Sequence, residues 1–507
     1  MAEKYVIAHD LGTSGNKATL FSLDGRLIRS SLAAYETHYY NANWAEQDPR
    51  DWWKAVCTST RDLMQGIDKN QVVALSFSAH MMACLCVDKS GRPLRPCIIW
   101  ADMRATEQAD ALSRRIDPHR FYGITGHRIS SSYTLEKLMW VQKNEPDVYK
   151  ATYKTLNPKD YIAFCLTGAP MVTDYSDASG TNAFDLNTFC WSEEILQAAG
   201  IDMEKFPDAK PSTHVVGEVS RQAAEACGLA PGTKVVLGAG DGSSAYVGAG
   251  AVSPGKSYCS LGTSAWVATT TDHILRDEGM RLTNWAHVVP GLIGSLGPMQ
   301  AAGASLSWLK NTLCLREQDE ARARGISPYD VINEKIASAP PGSNGLLYLP
   351  YLVGERAPRW NPNARGVFLG LKMEHRREDI LRSVVEGVGY NLKIILDLLR
   401  AGAPVESLTL VGGMARGEIE REIFCDIFGL PVHTLNHLEE ATSMGAAVCA
   451  GVGVGELKDF SQVDRFIAVK ETRYPHVQNT ARYERMSEIF DKAYTSLLDV
   501  YEEMAKL

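Results

Sequence analysis

The sequence predicts an α/β protein made of two related lobes with a cleft between them. One tetrapeptide, Leu-Gly-Thr-Ser, occurs twice, at Leu11–Ser14 and at Leu261–Ser264, and each copy separates two apolar runs typical of β-strands. Strand-like runs followed by helical ones recur in both halves, which is the order of an α/β unit. At 507 residues, the chain is also too long for a single hydrophobic core.

The first half is predicted to begin with a hairpin and a third strand over residues 5–35, because Asp24 and Gly25 supply a turn between apolar runs. Residues 50–66 are predicted to be helical, since their apolar side chains recur at helical spacing. The next predicted elements are the strands Val72–Ser78 and Ala83–Val87, a helix over 101–116, and a mostly helical stretch over 115–230.

A short strand at Val235–Gly238 is predicted to open the second half, and a helix of small residues over 243–251 and the second hairpin follow it. Strands and helices then alternate near the end, at Ser407–Val411, Glu418–Phe428, Val432–Thr434 and Thr442–Ala450. No low-complexity linker separates the halves. We therefore expect two lobes, 1–248 and 249–507, joined by a hinge.

Charge and apolar content argue against two classes of partner. The net charge of -8 gives no basic face for nucleic acid, and no run approaches the roughly 18 apolar residues of a membrane helix. The first residues enter a strand directly, without the pattern of a secretory leader. The eleven cysteines contain no CxxC pair, which is typical of buried thiols in a reducing compartment. We expect a cytoplasmic protein that binds neither nucleic acid nor membranes.

The tip of the first hairpin carries residues suited to a polyphosphate. Backbone N–H groups at such a tip bind anions, Thr13 and Ser14 add hydroxyl donors, and Lys17 adds a cation. Asp10, at the end of the strand, can hold a hydrated Mg²⁺. The alternative is a tight turn capped by Asp10. The second copy of the tip favours phosphate binding, because two such hairpins can close on one polyphosphate.

A glycine-rich cluster over 238–244 contains one carboxylate, Asp241, among residues with small side chains. An alcohol that attacks a phosphoryl group needs an acceptor for its proton, and an aspartate can accept it. The alternative is an aspartate that caps a turn or a helix. No GxGxxG dinucleotide fingerprint opens a helix with an acidic residue about 20 positions further on.

Two clusters that follow strands of the first half are candidates for ligand binding, because loops after the strands form the ligand crevice of an α/β sheet. Asp102 and Arg104 can bind sugar hydroxyls or bind each other, and Trp100 offers a flat apolar wall. The alternatives are a helix-capping pair and, for His80, a hydrogen-bonded loop histidine. The candidate residues are His80, Met81, Met82, Trp100, Asp102 and Arg104.

The segment Val411–Gly417 is predicted to lead from a strand into a helix through Gly412 and Gly413. Glycine lets a base or a ribose approach the backbone closely, and a plain strand-to-helix turn is the alternative. The helix that begins near residue 440 is rich in small residues, which favours close packing against a sheet and also permits packing beside a nucleotide.

With these residues, the chain resembles the FGGY family of carbohydrate kinases, within the actin-like ATPase superfamily, nearly from end to end. The family patterns are Thr134–Val141, Leu349–Leu352, Gly354–Arg356, Gly366–Leu371 and Asp379–Glu386. Within the family, Asn157–Tyr161 and Asp174–Thr181 are similar to segments of the xylulokinase branch. The resemblance implies an α/β fold of two ribonuclease-H-like lobes, ATP and Mg²⁺ as cofactors, and phosphorylation of a sugar.

The resemblance also implies roles for individual residues. Asp241 becomes the general base, and Asp10 lies at the metal-bound phosphates, with the residues of the first hairpin tip beside them. The residues implied to line the nucleotide site are Gly262, Thr263, Gly303, Gly412, Gly413 and Gly417. The sugar is expected mainly on the N-terminal lobe, near Met81, Met82 and Asp102.

One position departs from the xylulokinase branch, in which a Gln-Met-His-Gly string stands where this chain has His80–Ala83. Met82 thus replaces a histidine that contacts the sugar. We expect a ketopentose such as xylulose, giving xylulose 5-phosphate. The alternatives are another ketose, a polyol such as glycerol or erythritol, a sugar acid, autoinducer-2, or a nucleotide-binding sensor without activity. The expected partners are the sugar and ATP, and a homodimer is left open.

Overall fold

Strands and helices alternate along the first half of the chain. The computed structural model describes residues 3–168, 170–437 and 440–507. The strands of the first half are β1 (Tyr5–Leu11), β2 (Gly15–Ser22), β3 (Leu27–Ala34), β4 (His38–Tyr40), β5 (Trp44–Gln47), β6 (Val72–Ala79), β7 (Leu85–Val87), β8 (Cys97–Ile98), β9 (Lys154–Leu156), β10 (Val172–Asp174), β11 (Phe184–Asp185), β12 (Cys190–Trp191), β13 (Asp208–Lys210), β14 (Val215–Glu218), β15 (Lys234–Val236) and β16 (Ala239–Gly240). Its helices are α1 (Pro49–Leu63), α2 (Thr106–Ser113), α3 (Pro118–Thr125), α4 (Thr134–Asn144), α5 (Pro146–Ala151), α6 (Pro158–Thr167), α7 (Tyr175–Ser179), α8 (Glu193–Ala199), α9 (Arg221–Cys227) and α10 (Asp241–Gly248).

The second half has fewer strands and longer helices. Its strands are β17 (Ser257–Leu261), β18 (Ala265–Thr271), β19 (Thr283–Ala286), β20 (Ile293–Met299), β21 (Leu347–Leu349), β22 (Val367–Leu369), β23 (Leu408–Val411), β24 (Val432–Leu435) and β25 (Val469–Arg473). Its helices are α11 (Gly303–Leu313), α12 (Leu315–Arg324), α13 (Pro328–Ser338), α14 (Arg377–Arg400), α15 (Glu418–Phe428), α16 (Ala441–Gly453), α17 (Val477–Ser496) and α18 (Leu498–Met504). Among the described residues, no helix is both long and apolar enough to cross a membrane.

Two seven-stranded mixed sheets share one pairing pattern. The first has the order β14-β15-β6-β1-β2-β3, with β16 also paired to β6, and the second has the order β19-β20-β18-β17-β23-β24-β25. In each, a central strand (β1 or β17) forms an antiparallel hairpin on one side and a parallel pair on the other. The predicted duplication of an α/β unit is therefore confirmed, and each Leu-Gly-Thr-Ser string starts on the last residue of the central strand.

Local signals account for the boundaries of several elements. Helix α1 starts at a proline after Asp48, whose side chain accepts a hydrogen bond from the Arg50 N–H group, as an N-cap does. Helix α2 begins only at Thr106, and not at 101 as predicted, because the Asp102 carboxylate binds the backbone N–H of Arg104 in a turn. Tertiary structure shortens this helix at its N-terminal end.

The strand predicted over Val235–Gly238 belongs to the first sheet and does not open the second half. Its first two residues lie in β15, which pairs in parallel with β6, and the following β16 pairs with β6 as well. The prediction was wrong because a buried apolar strand carries no sign of the sheet it joins. The second sheet starts at β17.

Helix α16 lies against the first sheet, although its sequence follows strands of the second. It packs on β1, β6 and α10, and its small residues share a core cluster with Val6 and Ala8 of β1. The contact with α10 is so close that a Cβ atom on Gly248 would overlap Ala441, and one on Gly445 would overlap Ser244. The small residues of this helix therefore serve close packing, which was the favoured interpretation of the sequence.

Candidate active site

The carboxylate of Asp10 lies at the open end of β1, where α16 reaches it. Its Oδ2 atom accepts a hydrogen bond of 2.8 Å from the Thr442 hydroxyl. Burial raises the pKa of Asp10, the hydrogen bonds from Thr442 and Ser78 lower it, and the nearby Glu440 carboxylate raises it again. Asp10 is only partly exposed, so its charge is available to a ligand without being fully hydrated.

The tip of the first hairpin is held from two sides. Lys17, paired in register with Asp10, forms an ion pair of 2.5 Å with Glu440 just before α16. The Thr13 carbonyl accepts hydrogen bonds from Gln47 at 2.7 Å and from the Thr37 hydroxyl at 3.0 Å. Ser14 is exposed. The tip is thus a fixed loop that carries two hydroxyl side chains, and such a loop is suited to phosphate binding.

Asp241 begins α10, directly after β16. Its Oδ1 atom accepts a hydrogen bond of 2.7 Å from the Gly242 N–H group. Burial and then the neighbouring Asp10 carboxylate raise the pKa of Asp241 to about 7. A carboxyl group with a pKa near neutrality, partly exposed in a cleft, is suited to accept a proton during a reaction.

A buried network holds the segment that precedes Asp241. The Gly240 N–H group donates to the Ser176 hydroxyl at 2.9 Å, and that hydroxyl donates to Asp174 at 2.6 Å. Asp174 also pairs with Lys159 at 2.9 Å, and both side chains are completely buried. This chain of bonds fixes the start of α10 in the tertiary structure.

The predicted residues of the 80–82 segment lie next to Asp241. A Cβ atom on Gly240 would overlap the Met81 side chain, which places Met81 against the residue before Asp241. Met82 is partly exposed, with a left-handed backbone (φ 61°), and joins a cluster with Met81, Tyr133 and Trp285. His80 is buried, and its Nε2 lies 3.2 Å from Gln47 Oε1. Burial lowers the pKa of His80 to about 3, so its ring is neutral at physiological pH.

Asp102 and Arg104 bind each other. The guanidinium group donates to both carboxylate oxygens of Asp102, at 2.7 to 3.0 Å, and Asp102 also accepts a 2.6 Å hydrogen bond from the Ala45 N–H group. Of the two interpretations of this pair, the structure therefore shows the mutual one. Trp100 is 39% exposed and donates its indole N–H to the Thr13 hydroxyl at 2.9 Å, which connects it to the first hairpin.

The predicted nucleotide-site residues of the second lobe lie around the second hairpin tip. A Cβ atom on Gly303 would come within 2.5 Å of the Gly262 carbonyl, and one on Gly412 within 2.8 Å of Leu261. The Thr263 carbonyl accepts hydrogen bonds from two N–H groups at the start of α11, at 3.0 and 3.1 Å. Gly412 has a φ of 94°, which favours glycine.

Two further glycines of this region differ in their surroundings. Among the described residues, no atom lies within 4 Å of a Cβ atom built on Gly413, so this exposed residue leaves room for a ligand beside the tip. A Cβ atom on Gly417 would overlap Glu420, which favours a packing role at that position. The structure thus brings Gly262, Thr263, Gly303, Gly412 and Gly413 together.

Sequence reasoning missed three features of this region. Glu440 and Thr442 reach the first hairpin over separations of 423 and 432 positions, and no local pattern links such distant residues. Residues 250–257 match the phosphate-loop pattern GxxxxGK[ST], which a pattern search would have found. That segment leads into β17 and not into a helix, so it lacks the helix N-terminus that such a loop uses.

Two carboxylates, Asp241 and Glu440, act electrostatically on Asp10 at the first hairpin, and oxygen donors of this kind suit a divalent cation. Glu440 Oε2 is buried without a hydrogen-bond partner among the described residues. Carboxylate oxygens are the protein ligands of Mg²⁺, which keeps several of its waters. The residues present therefore fit the predicted ion.

Duplicated lobes, paired hairpin tips and a near-neutral carboxylate define the class of protein as a phosphotransferase with an actin-like fold. The models for the N- and C-terminal domains of the FGGY family of carbohydrate kinases match residues 5–248 and 257–454. The chain belongs to the FGGY family of carbohydrate kinases, which use ATP. The fold, the family and the carbohydrate kinase activity predicted from the sequence are thereby confirmed.

Relatives with two different acceptors resemble the chain equally well. The xylulose kinase of Bacillus subtilis (strain 168) is 32% identical over 501 residues, covering 98% of each chain. The gluconokinase of the same strain is 32% identical over 507 residues, covering 99% of this chain and 98% of that one. The crystal structure of ligand-bound xylulose kinase from Lactobacillus acidophilus superimposes with a TM-score of 0.91, at 27% identity, over 99% of this chain and 100% of that chain.

Proposed function

We propose that the protein transfers the γ-phosphoryl group of ATP to a hydroxyl group of a small sugar, and that Asp241 is the general base. The observation that carries this assignment is the carboxyl group of Asp241, whose pKa of about 7 makes it a proton acceptor near neutral pH. It lies beside Asp10 at the tip of the first hairpin, where a triphosphate would end.

The proposed step is an in-line displacement. The acceptor hydroxyl gives its proton to the Asp241 carboxylate while its oxygen forms a bond to the γ-phosphorus, and the bond to the β,γ-bridging oxygen breaks to release ADP. Most of the rate enhancement then comes from positioning and from stabilisation of charge. Thr13, Ser14 and Lys17 would donate to phosphate oxygens from one lobe, and the Gly262–Thr263 tip from the other.

Asp10 would hold Mg²⁺ through water or directly, with Asp241 and Glu440 nearby. When bound, the ion would neutralise charge on the phosphates. The raised pKa of Asp10 supports this role, because a cation at the carboxylate offsets the unfavourable burial of its charge.

The glycines proposed to line the nucleotide site are assigned from two observations, the open space beside Gly413 and the close backbone contacts of Gly303 and Gly412. Gly413 would face the nucleotide, since no described atom lies near a Cβ atom built at this position. Gly303 and Gly412 would shape the site by allowing α11 and β23 to approach the second hairpin tip. Gly417 would lie at the edge of the nucleotide site, where it packs closely against Glu420.

We propose a ketopentose, with xylulose first, as the acceptor. The support is the likeness to xylulose kinases over nearly the whole chain. The sugar would bind beside Met81 and Met82, with Trp100 as an apolar wall. Asp102 and Arg104 are buried and bind each other, and His80 is buried with its Nε2 near Gln47, so these three side chains would support the pocket without contacting the sugar.

A sugar acid is the second candidate acceptor. It is favoured by the identity of the chain to a gluconokinase, which equals its identity to a xylulose kinase, and by Met82, which lacks the hydrogen-bonding capacity of the histidine found in the xylulokinase branch.

The eleven cysteines, all free, support a reducing compartment and hence the cytoplasm. A homodimer stays a prediction.

A coupled assay of ADP release over a panel of acceptors tests this proposal. The panel contains xylulose, ribulose, gluconate, glycerol, erythritol and autoinducer-2, each with Mg²⁺-ATP. Asp241→Asn should lower turnover by about 10²-fold or more and leave ATP binding within about twofold of wild type. Asp110→Asn, at an exposed position of α2, is the matched control. Wild-type turnover by Asp241→Asn would contradict the role of this residue. If no acceptor leads to ADP release, the alternative of a nucleotide-binding sensor without activity is favoured.

A further inference from the structure

A completely buried lysine lies beside the proposed acceptor pocket. Lys137, on α4, has no exposed surface. Its Nζ atom donates hydrogen bonds to the carbonyl oxygen of Met82 at 2.8 Å and to that of Ser132 at 2.5 Å. One side chain therefore links the loop after β6 to the loop before α4.

Among the described residues, no ion pair within 4.0 Å includes Lys137, whose Nζ contacts carbonyl oxygens instead. The carboxylates of Asp102 and Glu136 act on its charge electrostatically, but Asp102 is bound by Arg104, and Glu136 accepts a hydrogen bond from Asn182 at 3.0 Å. Burial of an ammonium group is unfavourable, and the two hydrogen bonds to carbonyl oxygens are the direct contacts that offset it.

The loop that Lys137 holds has an unfavourable backbone conformation. Met82 has a φ of 61°, a left-handed conformation that is unfavourable for a residue other than glycine. The next residue is also fixed, since the Ala83 N–H group donates to Asn157 at 3.0 Å and its carbonyl accepts from Thr134 at 3.0 Å. The ammonium group is thus one of several restraints that determine where the Met82 side chain points.

Both linked loops contribute to the wall of the proposed pocket. Met81 contacts Gly240, next to Asp241, and Tyr133, which follows Ser132, shares an apolar cluster with Met81 and Met82. A change in the separation of the two loops would therefore move the acceptor relative to the general base.

We infer that Lys137 is a positioning residue for the acceptor: its ammonium group ties the Met82 and Ser132 carbonyls together and so sets the width of the acceptor pocket. The inference rests on the proposed function only for the location of that pocket. Neither the hydrogen bonds nor the buried charge depends on the identity of the sugar.

The protonation of this group gives the inference a pH dependence. Burial lowers the pKa of Lys137 to about 8. A neutral amine donates more weakly than an ammonium group, so the link between the loops should loosen as the pH rises through 8. The titratable and charged groups that act on Lys137 are Glu136 on its own helix and, from elsewhere in the fold, His80, Cys84, Cys97 and Asp102.

Steady-state kinetics of Lys137→Met and Lys137→Gln test the inference, with Lys143→Met as the matched control. Lys143 is on the same helix but largely exposed, where it pairs with Glu107. We expect Lys137→Met to raise KM for the acceptor about tenfold or more and to leave KM for ATP within about twofold. Lys137→Gln, which retains donors, should have an intermediate effect. In the wild type, KM for the acceptor should rise above pH 8 while KM for ATP does not.

Three results would overturn the inference. The first is a folded Lys137→Met variant with unchanged KM for the acceptor, and the second is a parallel rise of both KM values. The third is a wild-type KM for the acceptor that stays constant from pH 7 to 9. Failure of the proposed function can be distinguished from failure of this inference, because the wild-type protein would then turn over no acceptor. Hydrogen exchange remains informative in that case: amides of 80–84 and 130–134 should exchange faster in Lys137→Met than in Lys143→Met, and equal exchange would refute the link.

Discussion

Replacing Asp241 by asparagine should stabilise the protein while removing its activity. In the folded protein the pKa of Asp241 is raised to about 7, by burial and then by Asp10, whereas an unfolded aspartate has a pKa near 3.9. A group whose pKa is raised by folding holds its proton more tightly in the folded state. Folding therefore becomes less favourable as the pH rises from about 4 to 7. Asparagine keeps the shape of the side chain and does not titrate.

The size of the effect follows from the pKa shift. One pKa unit corresponds to about 1.36 kcal/mol, so between pH 5 and pH 8 the wild type loses about 2.6 kcal/mol that the variant retains. Because the carboxylate is partly exposed, we expect about 1.5–2.5 kcal/mol. If both lobes unfold together, the entropy of unfolding of 507 residues converts this to a difference of about 1.5–2.5 °C in Tm.

Thermal unfolding at pH 5 and at pH 8 measures this difference. The Tm of Asp241→Asn minus the Tm of wild type should be larger at pH 8 than at pH 5, by the difference in Tm given above. The same quantity for Asp110→Asn should not change with pH. The hydrogen bond from the Gly242 N–H group can be kept by the asparagine oxygen. A variant that is less stable than wild type at pH 8, or a gap independent of pH, would refute the reasoning.

Three further predictions concern packing and the nucleotide. Gly445→Ala should lower Tm by about 1–3 °C in a thermal melt, because the added Cβ overlaps α10, whereas Gly123→Ala, whose added Cβ meets no described atom within 4 Å, should leave Tm nearly unchanged. Gly303→Ala should raise KM for ATP about tenfold in the coupled assay and spare KM for the sugar, and equal changes would argue against a nucleotide role. Trp100→Phe removes the indole donor to Thr13 and should raise KM for ATP about fivefold, as expected for one hydrogen bond. An unchanged value would show that this bond does not shape the phosphate site.

Most of the secondary structure near the site could be predicted from the sequence. The first hairpin and third strand, the second hairpin, and helix α15 follow local rules of turn formation and apolar spacing, and the structure shows them within a few residues of the predicted bounds. Helix α2 began later than predicted, because the interaction of Asp102 with Arg104 competes locally with the helix. The sheet to which β15 belongs could not be predicted, since apolar strands look alike.

The candidate site was predicted in part. Asp10, Asp241 and the hairpin tips could be proposed as site residues because short glycine-rich strings with a carboxylate or a hydroxyl have few structural uses. The choice between a mutual pair and a ligand contact for Asp102 and Arg104 needed coordinates, because both uses require the same residue types. Lys137 was visible only as part of a family pattern, and its buried position beside Met82 became apparent in the structure.

The duplicated hairpins and the order of strands and helices could be predicted from local sequence, because they depend on residues close together in the chain, and the family patterns indicated the class of reaction. That α16 crosses to the first sheet and brings Glu440 and Thr442 to Lys17 and Asp10 became apparent in the folded chain. The same holds for the closeness of Asp10 and Asp241, which lets one carboxylate raise the pKa of the other. Such contacts arise from the burial of apolar surface across the whole fold, and no local pattern encodes which distant residues that burial will bring together.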